Sequence, residues 1–236
     1  MATFALVHGG FHTSRCWGPF AAELERRGHH ALTVDLPVSD PAAGPDEYLA
    51  ACVAAFSGAD EPVVVVGHSI AGWTALRLEG LIPMAGLIFL CSCINLTPGL
   101  YPDEPLPMIL ADPNDWTPDE RGVITMARDV ARQYFYDDVP TDVADEALSW
   151  LVPQAAGGTA GPDGPIARPS VPCVYIQAAD DRAVAGPWAQ FAAELLTGRP
   201  PIMIPGSHSP FLARPEALAD VFEGVLSDFA SARSAT

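Results

Sequence analysis

Positive charge is scarce in this chain: 12 lysines and arginines stand against 29 aspartates and glutamates, giving a formal net charge of −17 over 236 residues. A surface of that sign repels phosphate backbones and anionic bilayers, so nucleic-acid and membrane partners are not expected. The first residues, Met1-Ala2-Thr3-Phe4-Ala5-Leu6-Val7, lack the basic start and the long apolar core of a signal peptide. They read as a strand, and a cytoplasmic protein is the expectation. No apolar tract is long enough to span a bilayer, since the longest, around Leu81 to Ile94, is broken by Pro83. Cysteines are few, odd in number and scattered, at Cys16, Cys52, Cys91, Cys93 and Cys173, which argues for buried reduced thiols over a disulfide framework. Cys91-Ser92-Cys93 has no second Cys or His pair at ligand spacing, so no metal and no other cofactor is expected.

What the chain does have is an alternation of strand and helix signals. Thr3 to Val7, Ala31 to Pro37, Val63 to Val66, Met84 to Cys91, Val171 to Ala178 and Pro201 to Ile204 read as strands. Helical spacing appears through Trp17, Phe20, Ala21 and Leu24, over Tyr48 to Phe56, through Trp73, Leu76, Leu78 and Leu81, over Pro187 to Leu196 and over residues 214 to 229. Such a rhythm implies an α/β fold, a mostly parallel sheet of about six strands flanked by helices. Between 94 and 170 the rhythm stops, proline and aspartate become frequent, and the periodic pieces, Val123 to Phe135 and Val143 to Leu151, read as helices. The expected division is a core of residues 1–93 and 171–236 with a helical cap insertion at 94–170 over the carboxyl edge of the sheet, where α/β sheets bind ligands. Tyr101, Met108, Trp116, Met126, Tyr134, Phe135 and Trp150 are candidates to line a pocket there or to pack within the insertion.

Chemistry concentrates at three strand ends. After four valines the chain runs Gly67-His68-Ser69-Ile70-Ala71-Gly72 into a helix, the strand, sharp turn and helix of a nucleophile elbow, with Ala71 where a second glycine is usual. The loop His8-Gly9-Gly10-Phe11-His12 follows the first strand, and a hydrolase places there one of its two oxyanion donors. Gly10 and Ile70 are the candidates; His12 and Arg15 near this loop could touch substrate, although exposed loop side chains usually do not. Asp180-Asp181 and His208 end the two late strands. Ser69, Asp181 and His208 thus occur in the order nucleophile, acid, histidine, with the histidine as general base and the carboxylate fixing its tautomer.

These pieces resemble the small α/β-hydrolases of the esterase, methylesterase and hydroxynitrile lyase group. The likeness rests on His8-Gly9-Gly10, Gly67-His68-Ser69, Tyr175-Ile176 with Asp181 six residues after the tyrosine, and Gly206-Ser207-His208. It implies an α/β-hydrolase fold, selects Asp181 over Asp180, and suggests cleavage of a small-molecule carboxylic ester through an acyl-enzyme. The lyases of that group carry a threonine and a lysine where this chain has Gly9 and Ser209, which favours the esterase. A cyclase, a carbon–carbon bond enzyme, a hydroxynitrile lyase or a ligand-binding receptor remain alternatives on the same fold. Substrate identity and oligomeric state stay open.

Overall fold

The structure, a computed structural model, describes residues 1–96, 100–159 and 167–234. Six parallel strands form its centre: β1 (Thr3–Val7), β2 (His30–Val34), β3 (Val63–His68), β4 (Met84–Leu90), β7 (Cys173–Ala178) and β8 (Ile202–Ile204), in the order β2-β1-β3-β4-β7-β8. β5 (Val123–Ile124) and β6 (Gln154–Ala155) make a separate antiparallel pair. Helices α1 (Gly18–Arg26), α2 (Pro45–Phe56), α3 (Ala71–Arg77), α6 (Gly186–Thr197), α7 (Pro210–Ala213) and α8 (Pro215–Ser234) accompany the sheet, and α4 (Arg128–Phe135) and α5 (Thr141–Leu148) lie between β4 and β7 in sequence.

Successive strand side chains point to opposite faces, so a strand covered on both sides must be apolar throughout. Val63 to Val66 are all buried, with Val64 and Val66 in one core cluster and Val63 and Val65 in the other. Phe4 and Leu6 against Ala5 and Val7 divide the same way. The first cluster takes in α1, α7 and α8 through Trp17, Phe20, Phe211 and Phe222; the second takes in α2, α3 and α6 through Tyr48, Phe56, Trp73 and Trp188.

The segment between β4 and β7 contributes no strand to the large sheet among the described residues. It does not stand apart, because Ile124, Tyr134, Phe135, Tyr136 and Leu148 continue the first cluster. Two expectations need correction here. Val123 to Phe135 is not one helix: Val123–Ile124 pair with Gln154–Ala155, and α4 begins only at Arg128. Helical spacing in the sequence ran on to Leu81, but α3 ends at Arg77 and Leu81 is exposed. The Gly/Pro stretch from Gly157 to Pro165 lies mostly outside the described residues.

All five cysteines are free thiols, four of them buried. No helix among the described residues is long and apolar enough to cross a membrane.

Register decides what meets at the carboxyl edge. Val7 lies opposite Gly67, so the loops after β1 and β3 leave the sheet side by side. This is the place where strand order reverses, β2 lying to one side of β1 and β3 to the other. Ala178 opposite Ile204 brings the loops after β7 and β8 together in the same way.

The crossing of β3 and α3 is close. A Cβ on Gly67 would sit 2.6 Å from the Ala75 Cβ and 2.9 Å from the Ala71 carbonyl oxygen. Gly67→Ala should therefore destabilise the fold by about 2 kcal/mol, as overpacking does, and lower Tm by roughly 4–8 °C for a chain of this size. Thermal denaturation followed by circular dichroism checks it; an unchanged Tm would mean that strand and helix separate freely.

Candidate active site

Ser69 sits in the left-handed region, at φ 53°, between β3 and α3. For a residue with a Cβ this conformation is costly and persists only where the surroundings fix it. Here they do. The Ser69 N–H donates to the Leu90 carbonyl at 3.2 Å, and its own carbonyl accepts from Cys93 N–H at 2.9 Å and Gly72 N–H at 3.1 Å. Ser92 Oγ donates to the Gly67 carbonyl at 2.6 Å, tying the turn to the end of β4. Ala71 is buried in the second cluster, and the turn forms with its methyl in place.

Asp181 and His208 meet behind the serine. His208 Nδ1 lies 2.9 Å from Asp181 Oδ2, and both side chains are 1 % exposed. Asp181 Oδ1 accepts from the N–H groups of Ala183 and Val184 at 2.8 and 2.9 Å, and Oδ2 accepts from Gln177 Nε2 at 3.1 Å. Burial alone raises a carboxyl's pKa; the facing His208 and these donors outweigh it and hold Asp181 below its ordinary value, so it is ionised at neutral pH. An ionised carboxylate only accepts, which puts a proton on His208 Nδ1 and leaves Nε2 as the acceptor. That Nε2 is buried and has no hydrogen-bond partner among the described residues. Ser69 and His208 line one small cavity, and no hydrogen bond joins Ser69 Oγ to the ring. Asp180 is exposed, and its N–H donates to the Gly206 carbonyl.

Gly10 lies beside Ile70: a Cβ on Gly10 would approach the Ile70 Cδ1 to 3.2 Å. Gly9 has to be glycine for the loop to come this near, since its Cβ would lie 2.8 Å from the Ser69 Cβ. The peptide plane ahead of Gly10 is held by His8, whose Nδ1–H donates to the Gly9 carbonyl at 2.8 Å while its Nε2 accepts from Leu36 N–H at 3.0 Å. In a trans peptide the N–H points opposite the C=O, so His8 fixes the direction of the Gly10 N–H. Gln154, which no motif or spacing marks, accepts from the Phe11 N–H at 3.3 Å and is oriented by donating to Tyr48 Oη and the Ala155 carbonyl. Arg15 is exposed, paired with Glu146 and stacked over Trp150, and lines neither cavity of the site.

Beside the small cavity, about 20 Å³, opens a larger one of about 470 Å³. Ile70, Trp116 and Gln154 line both. Trp73, Cys93 and Met108 line only the larger, and none of the described residues that line it is charged. Of the aromatic and methionine candidates, Met108 and Trp116 face the larger cavity and Phe135 the smaller, while Tyr134, Met126 and Trp150 pack in the first cluster and Tyr101 lies partly exposed over Trp188. A more open groove of about 690 Å³ lies at the opposite, amino end of the strands, around Pro172 and Phe229, and holds none of these groups. Cys91 Sγ, an Asp181 oxygen and a His208 nitrogen lie within 4.8 Å of one another. Those donors are already engaged in the Asp181–His208 pair, and burial pushes the Cys91 thiol up, away from the thiolate a metal needs.

The sequence pattern described as the alpha/beta hydrolase family matches residues 4–221. The chain belongs to that family. A pyrethroid hydrolase from Sphingobium wenxiniae is 26 % identical over 250 residues, covering 96 % of this chain and 87 % of its own. Among solved structures, a methylesterase from Arabidopsis superposes with a TM-score of 0.75 at 21 % identity, covering 95 % of this chain and 99 % of its own. Tomato methylketone synthase I superposes with a TM-score of 0.69 at 15 % identity, over 97 % and 98 % of the two chains. The structural matches carry the fold.

Three buried histidines surround the site. Desolvation lowers the pKa of His8, that of His12 to about 3, and that of His68 well below the ordinary 6.5. His68 Nε2–H donates to the His208 carbonyl at 3.0 Å, so its ring supports the loop that carries the histidine. These rings stay neutral in the folded chain but take up protons in the unfolded chain below about pH 6.5, so the unfolded state gains as pH falls. Stability is full above pH 6.5 and is lost as pH falls from there, by up to about 1.4 kcal/mol per ring per pH unit, the His12 contribution continuing down toward about pH 3. Between pH 7.5 and 5.5 Tm should drop by roughly 5–15 °C. A melting temperature that stays flat until carboxylates titrate, below about pH 5, would contradict neutral burial of these rings.

Proposed function

We propose that the protein is a serine hydrolase that cleaves small-molecule carboxylic esters through an acyl-enzyme. The observation that carries the reading is His208: its Nδ1 is bound to Asp181, its buried Nε2 has no partner among the described residues, and the residue lines one cavity with Ser69 at its strained turn. Ser69 Oγ attacks the ester carbonyl and its proton passes to His208 Nε2. The carbonyl oxygen becomes an oxyanion that the Gly10 and Ile70 N–H groups receive. As the tetrahedral intermediate collapses, the imidazolium returns the proton to the departing alcohol, and Asp181 stabilises the imidazolium throughout. Water then repeats the sequence on the acyl-enzyme. Membership of the alpha/beta hydrolase family and the esterase names among the relatives support this chemistry.

The two cavities suggest how the ester lies. The leaving oxygen must reach His208 Nε2, in the compartment of about 20 Å³ closed by Phe11 and Phe135. The acyl group then extends past Ile70 into the uncharged compartment of about 470 Å³. An apolar acid esterified with a small alcohol fits this division. Residues 94–170 serve in this reading as the cap that builds the larger compartment. Cyanohydrin cleavage is disfavoured, because the expelled cyanide needs a neighbouring cation and the chain contains no lysine at all.

A panel of methyl, ethyl and larger alkyl esters of aryl and alkyl acids tests the reading. Methyl esters of apolar acids should turn over fastest, and Ser69→Ala should lower the rate by about 10³-fold or more. Activity within about tenfold of wild type would remove Ser69 from the mechanism. No serine-dependent cyanide should be released from mandelonitrile.

For the acid, Asp181→Asn should cost at least about 10²-fold, since the amide no longer fixes the histidine tautomer. Asp180→Asn should stay within about threefold, as expected of an exposed side chain away from the histidine. Greater damage at 180 would reassign the acid.

A further inference from the structure

Three consecutive residues of the segment between β4 and β7 each reach a different loop of the candidate site. Tyr136 Oη donates to His12 Nε2 at 2.7 Å, and His12 Nδ1–H donates to the Gly10 carbonyl at 2.6 Å. Asp137 lies 3.3 Å from Arg182, the neighbour of Asp181. Asp138 accepts from Ser207 Oγ, one residue before His208, and from the Arg214 guanidinium just beyond α7. We propose that Tyr136-Asp137-Asp138 is a positioning brace that holds the oxyanion loop and the histidine loop in register with Ser69, so that docking of this segment and alignment of the site are one event. The proposal rests on the hydrolase reading above.

The Tyr136 arm works through a tautomer. The Gly10 carbonyl only accepts, so the proton of the neutral His12 ring is on Nδ1, and Nε2 needs a donor. Tyr136 supplies it from a fully buried position. With the Gly10 carbonyl held by His12 and the Phe11 N–H held by Gln154, the peptide plane after Gly10 is fixed at both ends. That pins Phe11 at φ 63° and with it the stretch that carries the Gly10 N–H. Without the tyrosine hydroxyl the ring can move its proton to Nε2 and turn a lone pair toward the Gly10 carbonyl, which repels it.

The Asp138 arm is ionic and half-buried, with Arg214 and Ser207 holding its carboxyl below the ordinary value despite desolvation. The Asp137 arm is open to solvent on both sides and holds its loop only weakly.

The experiment measures kcat, KM and the rate at which a fluorophosphonate labels Ser69. In that labelling the serine oxygen bonds to phosphorus, fluoride leaves and the serine proton passes to His208, so it reads the same alignment without needing an ester. Tyr136→Phe and Asp138→Asn should each lower kcat and the labelling rate by about tenfold with KM within about twofold, since small misplacements at a reacting centre are costly. The exposed control Asp129→Asn should stay within about twofold, as surface substitutions do. If the brace acts as one unit, the double variant loses less than the product of the singles. His12→Asn, whose amide N–H can still reach the Gly10 carbonyl, should retain about tenfold more activity than His12→Leu. That comparison decides the matter if Asp138→Asn does not fold. Labelling rates in Tyr136→Phe and Asp138→Asn equal to wild type, or losses confined to KM or Tm, would overturn the brace. Labelling without ester turnover would overturn only the ester assignment and leave the brace to the labelling rates. A wild-type chain that does not label at all would overturn both.

Discussion

The molecule depends most on the backbone of Ser69, a left-handed residue wedged between a buried strand and a helix. Holding a side-chain-bearing residue there costs on the order of 1–3 kcal/mol, and only surroundings that leave it no alternative sustain it. Leu90, Cys93 and Gly72 satisfy its backbone, Ser92 ties down Gly67, and the missing side chain at Gly67 lets α3 cross β3 at contact distance. β4 and the residues that directly follow it supply three of these constraints, through Leu90, Ser92 and Cys93. The conformation of the serine is therefore a property of the sheet's centre and not of the turn alone.

Around that turn the polar groups share one logic. Burial disfavours the charged form of the His8 and His12 rings, and the partner of one nitrogen decides the role of the other, Leu36 N–H for His8 and Tyr136 for His12, as the Asp181 carboxylate does for the proton on His208 Nδ1. Low dielectric strengthens such links and penalises any that are broken. The one ring nitrogen of His208 without a partner among the described residues belongs to a side chain that lines the same cavity as Ser69. A site arranged this way needs no charge in its larger compartment, where the described lining is uncharged although the chain carries a net charge of −17. The acidic surface and the uncharged lining of the larger compartment are separate features.

Family membership accounts for the sheet and its order but not for the shape of the cavity. That shape comes from the region between β4 and β7, which closes one side with Phe135 and Trp116 and opens the other with Met108. The same region reaches inward through Gln154 and Tyr136, so the residues that shape the cavity and those that steady its loops share one stretch of chain.

The sequence by itself determined the six strands of the large sheet, their parallel character and the loops on which the candidate residues lie, because those features leave local marks. Four valines in a row require burial on two faces, a Gly-His-Ser turn between strand and helix announces a sharp corner, and Asp181 six residues after Tyr175 can be counted. Tertiary structure alone decided the rest. The pair Val123–Ile124 became a strand only because Gln154–Ala155 came to lie beside it, overriding a helical spacing that continued on paper. Gln154 meets Phe11 across 143 residues and Tyr136 meets His12 across 124. Contacts at such separations have no period and no motif. They exist because the sheet register sets Val7 against Gly67 and Ala178 against Ile204, and the loops that leave those positions have nowhere else to go.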